Sequence, residues 1–445
     1  MTWYGALSLM MGGLIVLLAL GVPVAFAFLA INLVGALFFM GGEAGLGQLV
    51  RNFADSVTKI ELAPIPLFLL MGELMYRSRM AEHAIDAVDR LISRVPGRLA
   101  VVAVTGGTIF SALSGSTIAT TAMLGNTMLP DMLKRGYKPV MAMGPIMAIG
   151  GVDMLIPPSA LTVLLATLAS GMATGVRMGV AEMLIAGILP GLIMSVLFIA
   201  YIVGRCALDP TLAPTYAAAR YSVRDRVLPF VKYVLPLFLI VVVVIGSMFA
   251  GIASPTDSAA LGCSATVLVA LAYRSLSVKA LVKALTETAL VTVMILFIIG
   301  ASVSFAQIIS LSGATDGALG AIGGLPFSRL EFILCMIAIL LVLGCFVDQV
   351  SMMLLTLPFF MPLVAKLGID PIWFGCLFLI SMQVGLLSPP FGLLLFVMKG
   401  VAPPNTAMAD VTRAALPFIV MMLGVLALVL IVPGVATWLP GLISR

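Results

Sequence analysis

The chain has 445 residues, of which 62% are hydrophobic and only 10% charged, with a mean hydropathy of +1.22 and a net charge of +5. Soluble globular domains carry about 25% charge, so the composition excludes a water-soluble protein and indicates an all-α polytopic membrane protein, crossing a bilayer in apolar runs of roughly 20 residues. The basic residues are scattered between those runs rather than gathered in a stripe, which argues against nucleic acid as a partner, and there is no phosphate-binding Gly-x4-Gly-Lys motif.

Apolar runs at 5–21, 22–41 and 60–76 open the chain. The first lacks a basic leader and flows into the second, so it reads as a span rather than a signal peptide. Glu73 lies in a span near Arg77, where an ion pair and a functional acid are equally consistent with the sequence. Residues 78–96 are short, charged and amphipathic, as expected of a helix lying at the interface. Residues 99–130 are too long for one ordinary helix and turn at Ser114-Gly115-Ser116. Arg77, Arg79, Arg90, Arg94 and Arg98 precede this stretch, and Lys134, Arg135 and Lys138 follow it. Short basic loops mark the cytoplasm, so the stretch enters and leaves by one face as a re-entrant hairpin. Asn126, in its second leg, is expected to bond within the site.

Spans 140–171 and 180–204 follow, and the first of them contains Pro157-Pro158. Proline removes a backbone N–H and clashes with the preceding turn, which predicts a broken helix over 150–159. In lipid such a break survives only where protein or a watery cavity covers it. The basic loop 205–232 agrees in parity with a cytoplasmic side.

The second half repeats the plan. Spans at 228–250, 256–273 and 288–311 come first, with 275–287 read as a second interfacial helix and Asp257 as a helix start capped by Thr256 or Ser254. Residues 327–365 are interrupted near Gly344–Asp348 and have few basic flanks, chiefly Arg329 and Lys366, so this hairpin enters from outside. Span 371–400, broken over 383–392 at Pro389-Pro390, and span 412–438 close the chain. The total is ten crossings and two hairpins, an inverted repeat of 1–226 and 227–445 with both termini outward. Gly72 and Gly300 stand 228 positions apart, Pro190 and Pro417 227, and Ser116 and Asp348 232, in the same order.

Paired broken helices in matching halves point to a transport site. Carbonyl and hydroxyl oxygens suit a hard cation such as sodium, and helix N-termini suit a carboxylate. The first sodium site is expected from Ser111 and Ser114 facing Gly151, Asp153, Leu155 and Pro157, and the second from Asp348 and Ser351 facing Gln383, Gly385 and Ser388. An organic anion between them would meet Ser116, Thr117, Ser159, Asp348 and Phe391. The bland alternative is that these hydroxyls bond to nearby backbone or permit close packing. Acids within spans are costly and usually functional, which singles out Asp153 and Asp348. Five cysteines without a Cys-x2-Cys pair, and a single histidine, His83, argue against zinc, haem and structural disulfides. No cofactor beyond coupling sodium ions is expected.

Ser114-Gly115-Ser116, Ile156-Pro157-Pro158-Ser159, Ala186-Gly187-Ile188-Leu189-Pro190-Gly191, Ser254-Pro255-Thr256-Asp257 and Ser388-Pro389-Pro390-Phe391-Gly392, in that order, resemble the large membrane subunit of tripartite ATP-independent periplasmic (TRAP) transporters. The likeness runs from about residue 5 to residue 438. It implies a sodium-driven elevator carrier, with scaffold and transport domains, in the bacterial inner membrane. It also implies a small four-helix membrane subunit, expected as a separate chain, and a periplasmic binding protein that delivers an organic anion, usually a carboxylate such as a C4-dicarboxylate. Asp153 departs from the small or apolar residue of many relatives, Asp257 stands where glutamate is common, and Ser381 stands where asparagine is frequent. The nearest alternative is a stand-alone sodium- or proton-coupled anion carrier of the same fold that needs no binding protein. An intramembrane protease would need His-Glu-x2-His or a Gly-x-Gly-Asp pair, both absent from the sequence, and a channel suits paired re-entrant sites less well than alternating access does.

Overall fold

A computed structural model describes residues 2–92, 95–114, 117–171, 175–214, 222–323 and 326–442, with backbone alone at 81, 110–114, 319 and 322–323. Every element in the described residues is helical. In chain order they are α1 (Trp3–Ala19), α2 (Val24–Phe39), α3 (Glu43–Val57), α4 (Pro64–Arg77), α5 (Met80–Leu91), α6 (Arg98–Ser114), α7 (Thr117–Thr127), α8 (Pro139–Gly150), α9 (Ala160–Gly171) and α10 (Val180–Leu208). The second half supplies α11 (Val223–Phe249), α12 (Pro255–Ala272), α13 (Val278–Leu311), α14 (Ala314–Gly323), α15 (Arg329–Gly344), α16 (Gln349–Lys366), α17 (Pro371–Leu387), α18 (Leu393–Val401) and α19 (Met408–Ile431).

Local chemistry sets the helix starts. Ser254 and Asp257 form a capping box at α12, Ser328 and Glu331 form another at α15, and Asp370 caps α17 by accepting from the Trp373 N–H. These bonds satisfy donors that a helix N-terminus otherwise leaves unpaired. Asp257 is thus a cap residue, with Ser254 as its partner. Glu73 pairs with Arg77 at 3.0 Å, and Arg77 also lies 3.9 Å from Glu287 of α13.

The helices pack reciprocally. α2 lies on α13 and α4 on α12, while α7 meets α18 and α9 meets α16. α8 and α17 occupy the centre. Both are apolar on every side rather than on one stripe, and every residue from Ile372 to Leu387 is buried. A helix apolar all round is a core helix, and the Trp373 indole N–H is satisfied there by the Val429 carbonyl. α5 is seated on α11 through His83 stacked on Tyr233, which in turn meets Tyr273.

Three features differ from the sequence expectation. Residues 275–287 are not a separate interfacial helix: 275–277 lead into the 34-residue α13, and 278–287 are its start. Pro64 and Pro66 begin a new helix in the first half, and no proline interrupts 278–311 in the second. The amphipathic α3 and the short α14 fall in stretches read as connections; Gly317 of α14 gives room to the Trp3 ring. The second break is narrower than 383–392, because helix persists to Leu387 and Ser388 turns extended ahead of Pro389, as a residue before proline tends to do.

Candidate functional site

Each half brings a hairpin against a broken helix. In the first, α6 and α7 form the hairpin, and α8 and α9 flank the break. The helix ends at Gly150, and residues 151–158 run as irregular turns before α9 resumes. Asp153 sits in this unwound stretch, only 1% exposed, and its carboxylate accepts a hydrogen bond from the Thr117 hydroxyl at 3.1 Å. Thr117 is the first residue of α7, so the break and the second hairpin leg meet through this pair. The Thr162 hydroxyl donates to the Met154 carbonyl at 2.5 Å, and the Ser159 hydroxyl accepts from the Thr162 N–H. Thr121, one turn beyond Thr117, is fully buried; its hydroxyl has no hydrogen-bond partner and lies against Gly150.

The break is held from behind by Gly187 and Gly191 of α10. A Cβ at Gly187 would collide with the Leu155 carbonyl oxygen, and one at Gly191 would stand 2.8 Å from Ile156. The Gly187–Gly191 segment therefore lets irregular backbone approach closely, a use that glycine alone permits.

In the second half, α15 and α16 form the hairpin, and α17 and α18 flank the break. Asp348 is the N-cap of α16, accepting from the Ser351 N–H at 3.0 Å and the Ser351 hydroxyl at 2.6 Å. The Ser388 hydroxyl donates to the Val384 carbonyl one turn back. Gly385 and Gly344 touch backbone to backbone: a Cβ on Gly344 would stand 2.6 Å from the Gly385 Cα. Phe391 is 56% exposed and packs on Phe346 at 5.6 Å between ring centroids.

Gln349 joins the two sites. Its amide donates to the Thr117 hydroxyl at 3.2 Å and reaches the Gln383 side-chain oxygen at 3.5 Å. Thr117 and Gln349 are 232 positions apart, the same offset as Ser116 and Asp348, so two residues at the spacing of the expected repeat touch at the centre. Gln383 is fully buried, and its side-chain nitrogen has no hydrogen-bond partner. A polar chain thus runs from Asp153 through Thr117 and Gln349 to Gln383. Sequence reasoning missed Gln349; its offset from Thr117 was the available signal.

Of the expected site residues, Gly151, Asp153, Leu155 and Pro157 lie together in the first break, while Asp348, Ser351, Gln383, Gly385 and Ser388 gather in the second half. Thr117 and Ser159 flank the first break. Ser116 lies outside the described residues, as do the side chains of Ser111 and Ser114. Asn126, expected within the site, is exposed on α7.

A cavity of about 550 Å³ opens beside this chain, between α7, α9 and α16 on one side and α2, α4 and α13 on the other. Thr117, Asp348, Gln349 and Ser351 form its polar wall. Its size suits a small molecule.

The family model for the DctM component of tripartite ATP-independent periplasmic transporters matches residues 11–435. The ectoine/5-hydroxyectoine TRAP transporter large permease protein of Ruegeria pomeroyi is 32% identical over 96% of both chains. The C4-dicarboxylate TRAP transporter large permease protein of Pseudomonas aeruginosa is 31% identical over 85% of this chain and 86% of its own. Among solved structures, the YdaH transporter of Alcanivorax borkumensis aligns over 90% of this chain and 91% of its own, with a TM-score of 0.64 at 14% identity. MtrF of Neisseria gonorrhoeae aligns over 87% and 83%, with a TM-score of 0.61 at 15% identity. These two likenesses concern the fold.

Proposed function

Since the chain belongs to the DctM component family of tripartite ATP-independent periplasmic transporters, we propose that it moves an organic anion, a carboxylate, inward with sodium ions by an elevator motion. It is a transporter permease subunit of the inner membrane rather than an enzyme, and it works with a small membrane subunit and a substrate-binding protein. In our reading 1–226 and 227–445 are inverted repeats. The reciprocal packing of α2 on α13 with α4 on α12, and of α7 on α18 with α9 on α16, supports this. The hairpins and broken helices form the moving part, and α2, α4, α12 and α13 belong to the scaffold.

The observation that carries the sodium reading is Asp153, a carboxylate 1% exposed in an unwound stretch of helix. Charge so deeply buried is stabilised by an opposite charge, and a sodium ion between the break and the first hairpin supplies one. Gly151, Leu155 and Pro157 would offer carbonyls, and Ser111 and Ser114 hydroxyls. The second ion would lie among Asp348, Ser351, Gln383, Gly385 and Ser388. The anion would lie between the two, near Ser116, Thr117, Ser159, Asp348 and Phe391. An ion-free site leaves polar groups unpaired in a dry setting, which disfavours motion of the empty carrier.

The test is uptake by the reconstituted complex, with sodium and proton gradients imposed separately. Sodium-driven uptake that weakens in Ser114→Ala and Asp153→Asn supports the reading. Unchanged sodium affinity in both variants removes the first site, and uptake that persists without the binding protein favours a stand-alone carrier.

A further inference from the structure

The walls of the central cavity differ in kind. Among the described lining residues, the polar side chains come from one side, the start of α7 and the start of α16: Thr117, Asp348, Gln349 and Ser351. Opposite them stand Phe26, Ile65, Leu69, Met294 and Ile298, and no lysine, arginine or histidine occurs among the described lining residues. The acid on the polar wall is already occupied, because Asp348 accepts from both the N–H and the hydroxyl of Ser351. Among the described lining residues, the available side-chain donor is the Gln349 amide. Its contact with Gln383 is 3.5 Å long, at the edge of hydrogen-bonding distance, so an acceptor in the cavity competes for it easily.

We propose that this cavity takes an anion with one polar head and an apolar body, rather than one charged at both ends. The head is a carboxylate or similar acceptor, received by the Gln349 amide beside Thr117, whose own hydroxyl proton is held by Asp153. The body lies on the wall made by α2, α4 and α13. A second carboxylate on that wall would lose its water without gaining a hydrogen bond, and burying a charge unpaired is strongly unfavourable. A site that donates hydrogen bonds to one group discriminates sharply for it, whereas an apolar wall discriminates by fit. This inference rests on the anion-carrier reading above and names the substrate class of the same site.

The experiment uses the two-subunit permease in nanodiscs and measures protection against thermal unfolding, with and without sodium. The probes are 4-methyl-2-oxopentanoate, hexanoate and benzoate on one side, and succinate and malate on the other. At least one single-headed anion is expected to protect at about tenfold lower concentration than either dicarboxylate, the ratio set by roughly one charge-assisted hydrogen bond. Gln349→Leu should raise the concentration needed about tenfold, and Ile298→Thr should narrow the preference over succinate. Succinate or malate protecting as well as every single-headed probe, with sodium dependence intact, overturns this inference and leaves the anion-carrier reading standing. Protection by none of the five anions at any sodium concentration overturns both. A Gln349→Leu variant with wild-type melting temperature and unchanged preference also overturns it.

Discussion

The two halves place a carboxylate at their centre in opposite ways. In the first, helix is abandoned at Gly151, well ahead of Pro157, and Asp153 is buried in the unwound stretch with Thr117 as its neighbour. In the second, helix persists to Leu387 and the acid lies on the hairpin instead, where Asp348 caps α16. A carboxylate at a helix N-terminus is stabilised by the N–H groups and the dipole it faces. Asp153 instead reaches the start of α7 from another element, through the Thr117 hydroxyl, so its contact joins break to hairpin where that of Asp348 is local. The same side chain is therefore a local cap in one half and a contact between break and hairpin in the other, where the proposed first cation would sit.

The largest effect should separate these two acids. Asp153→Asn keeps the shape and removes the charge, so sodium affinity in reconstituted uptake should fall about 10- to 100-fold, the value of a charge-assisted contact. Asp348→Asn should change it less, because asparagine keeps the N-cap and the proposed second ion keeps Ser351, Gln383, Gly385 and Ser388. A larger loss from Asp348→Asn than from Asp153→Asn would reverse the comparison.

Next come the glycines that hold each site together. Gly187→Ala drives a methyl into the Leu155 carbonyl, and Gly344→Ala drives one into the Gly385 backbone. Overpacking of this kind costs about 1–3 kcal/mol. Both variants should unfold at lower temperature in detergent. Gly187→Ala should also weaken sodium affinity, because the backbone it displaces belongs to the proposed first cation site. A loss of stability with no change in sodium affinity would detach that glycine from the site.

Thr117→Val tests the link between the halves. It removes the hydroxyl that donates to Asp153 and accepts from Gln349, and should cost about 1–2 kcal/mol. If the two sites communicate through this residue, the variant lowers the Hill coefficient for sodium as well as the apparent affinity. An unchanged coefficient would make the chain from Asp153 to Gln383 a local packing feature.

Much of this architecture was legible. Basic flanks around 99–130 and the double prolines at 157 and 389 mark hairpin and breaks because they act locally, through loop charge and backbone sterics. Asp257 was legible as a cap because its partner Ser254 lies three residues away. The continuity of α13 was obscured by the charged residues of 278–287, although nothing there breaks a helix. The narrowness of the second break depends on packing: Gly385 stays helical while resting on Gly344, a contact made across the fold. Gln349 escaped notice because a glutamine beside an aspartate has no signature of its own, and its meaning comes from Thr117, far off in sequence. Asn126 misled for the converse reason, since a polar residue in an apolar leg can face outward.

The smallest effect carries the contrast between buried and satisfied acids outside the membrane. Asp89 of α5 lies 2.7 Å from Arg98, yet burial outweighs that attraction and raises its carboxyl above the ordinary value. Asp209, just after α10, is lowered by hydrogen bonds from the side chain and N–H of Thr211. The signs of their linkage to stability are opposite. The contribution of Asp209 is present above the unfolded carboxylate value, about 3.9, and is lost as pH falls through its lowered folded value. Asp89 in the folded protein holds its proton to higher pH than in the unfolded chain, so its contribution declines as pH rises from that unfolded value through its raised folded one. Melting temperatures of the purified permease between pH 3 and pH 7 should therefore show Asp209→Asn losing stability relative to the parent at the upper end, with the gap closing on acidification. Asp89→Asn should gain on the parent as pH rises, offset by the loss of the Arg98 pair. Parallel pH profiles for the two variants would mean that burial does not outweigh the ion pair at Asp89, and would remove the basis for treating buried and hydrogen-bonded acids as different in kind.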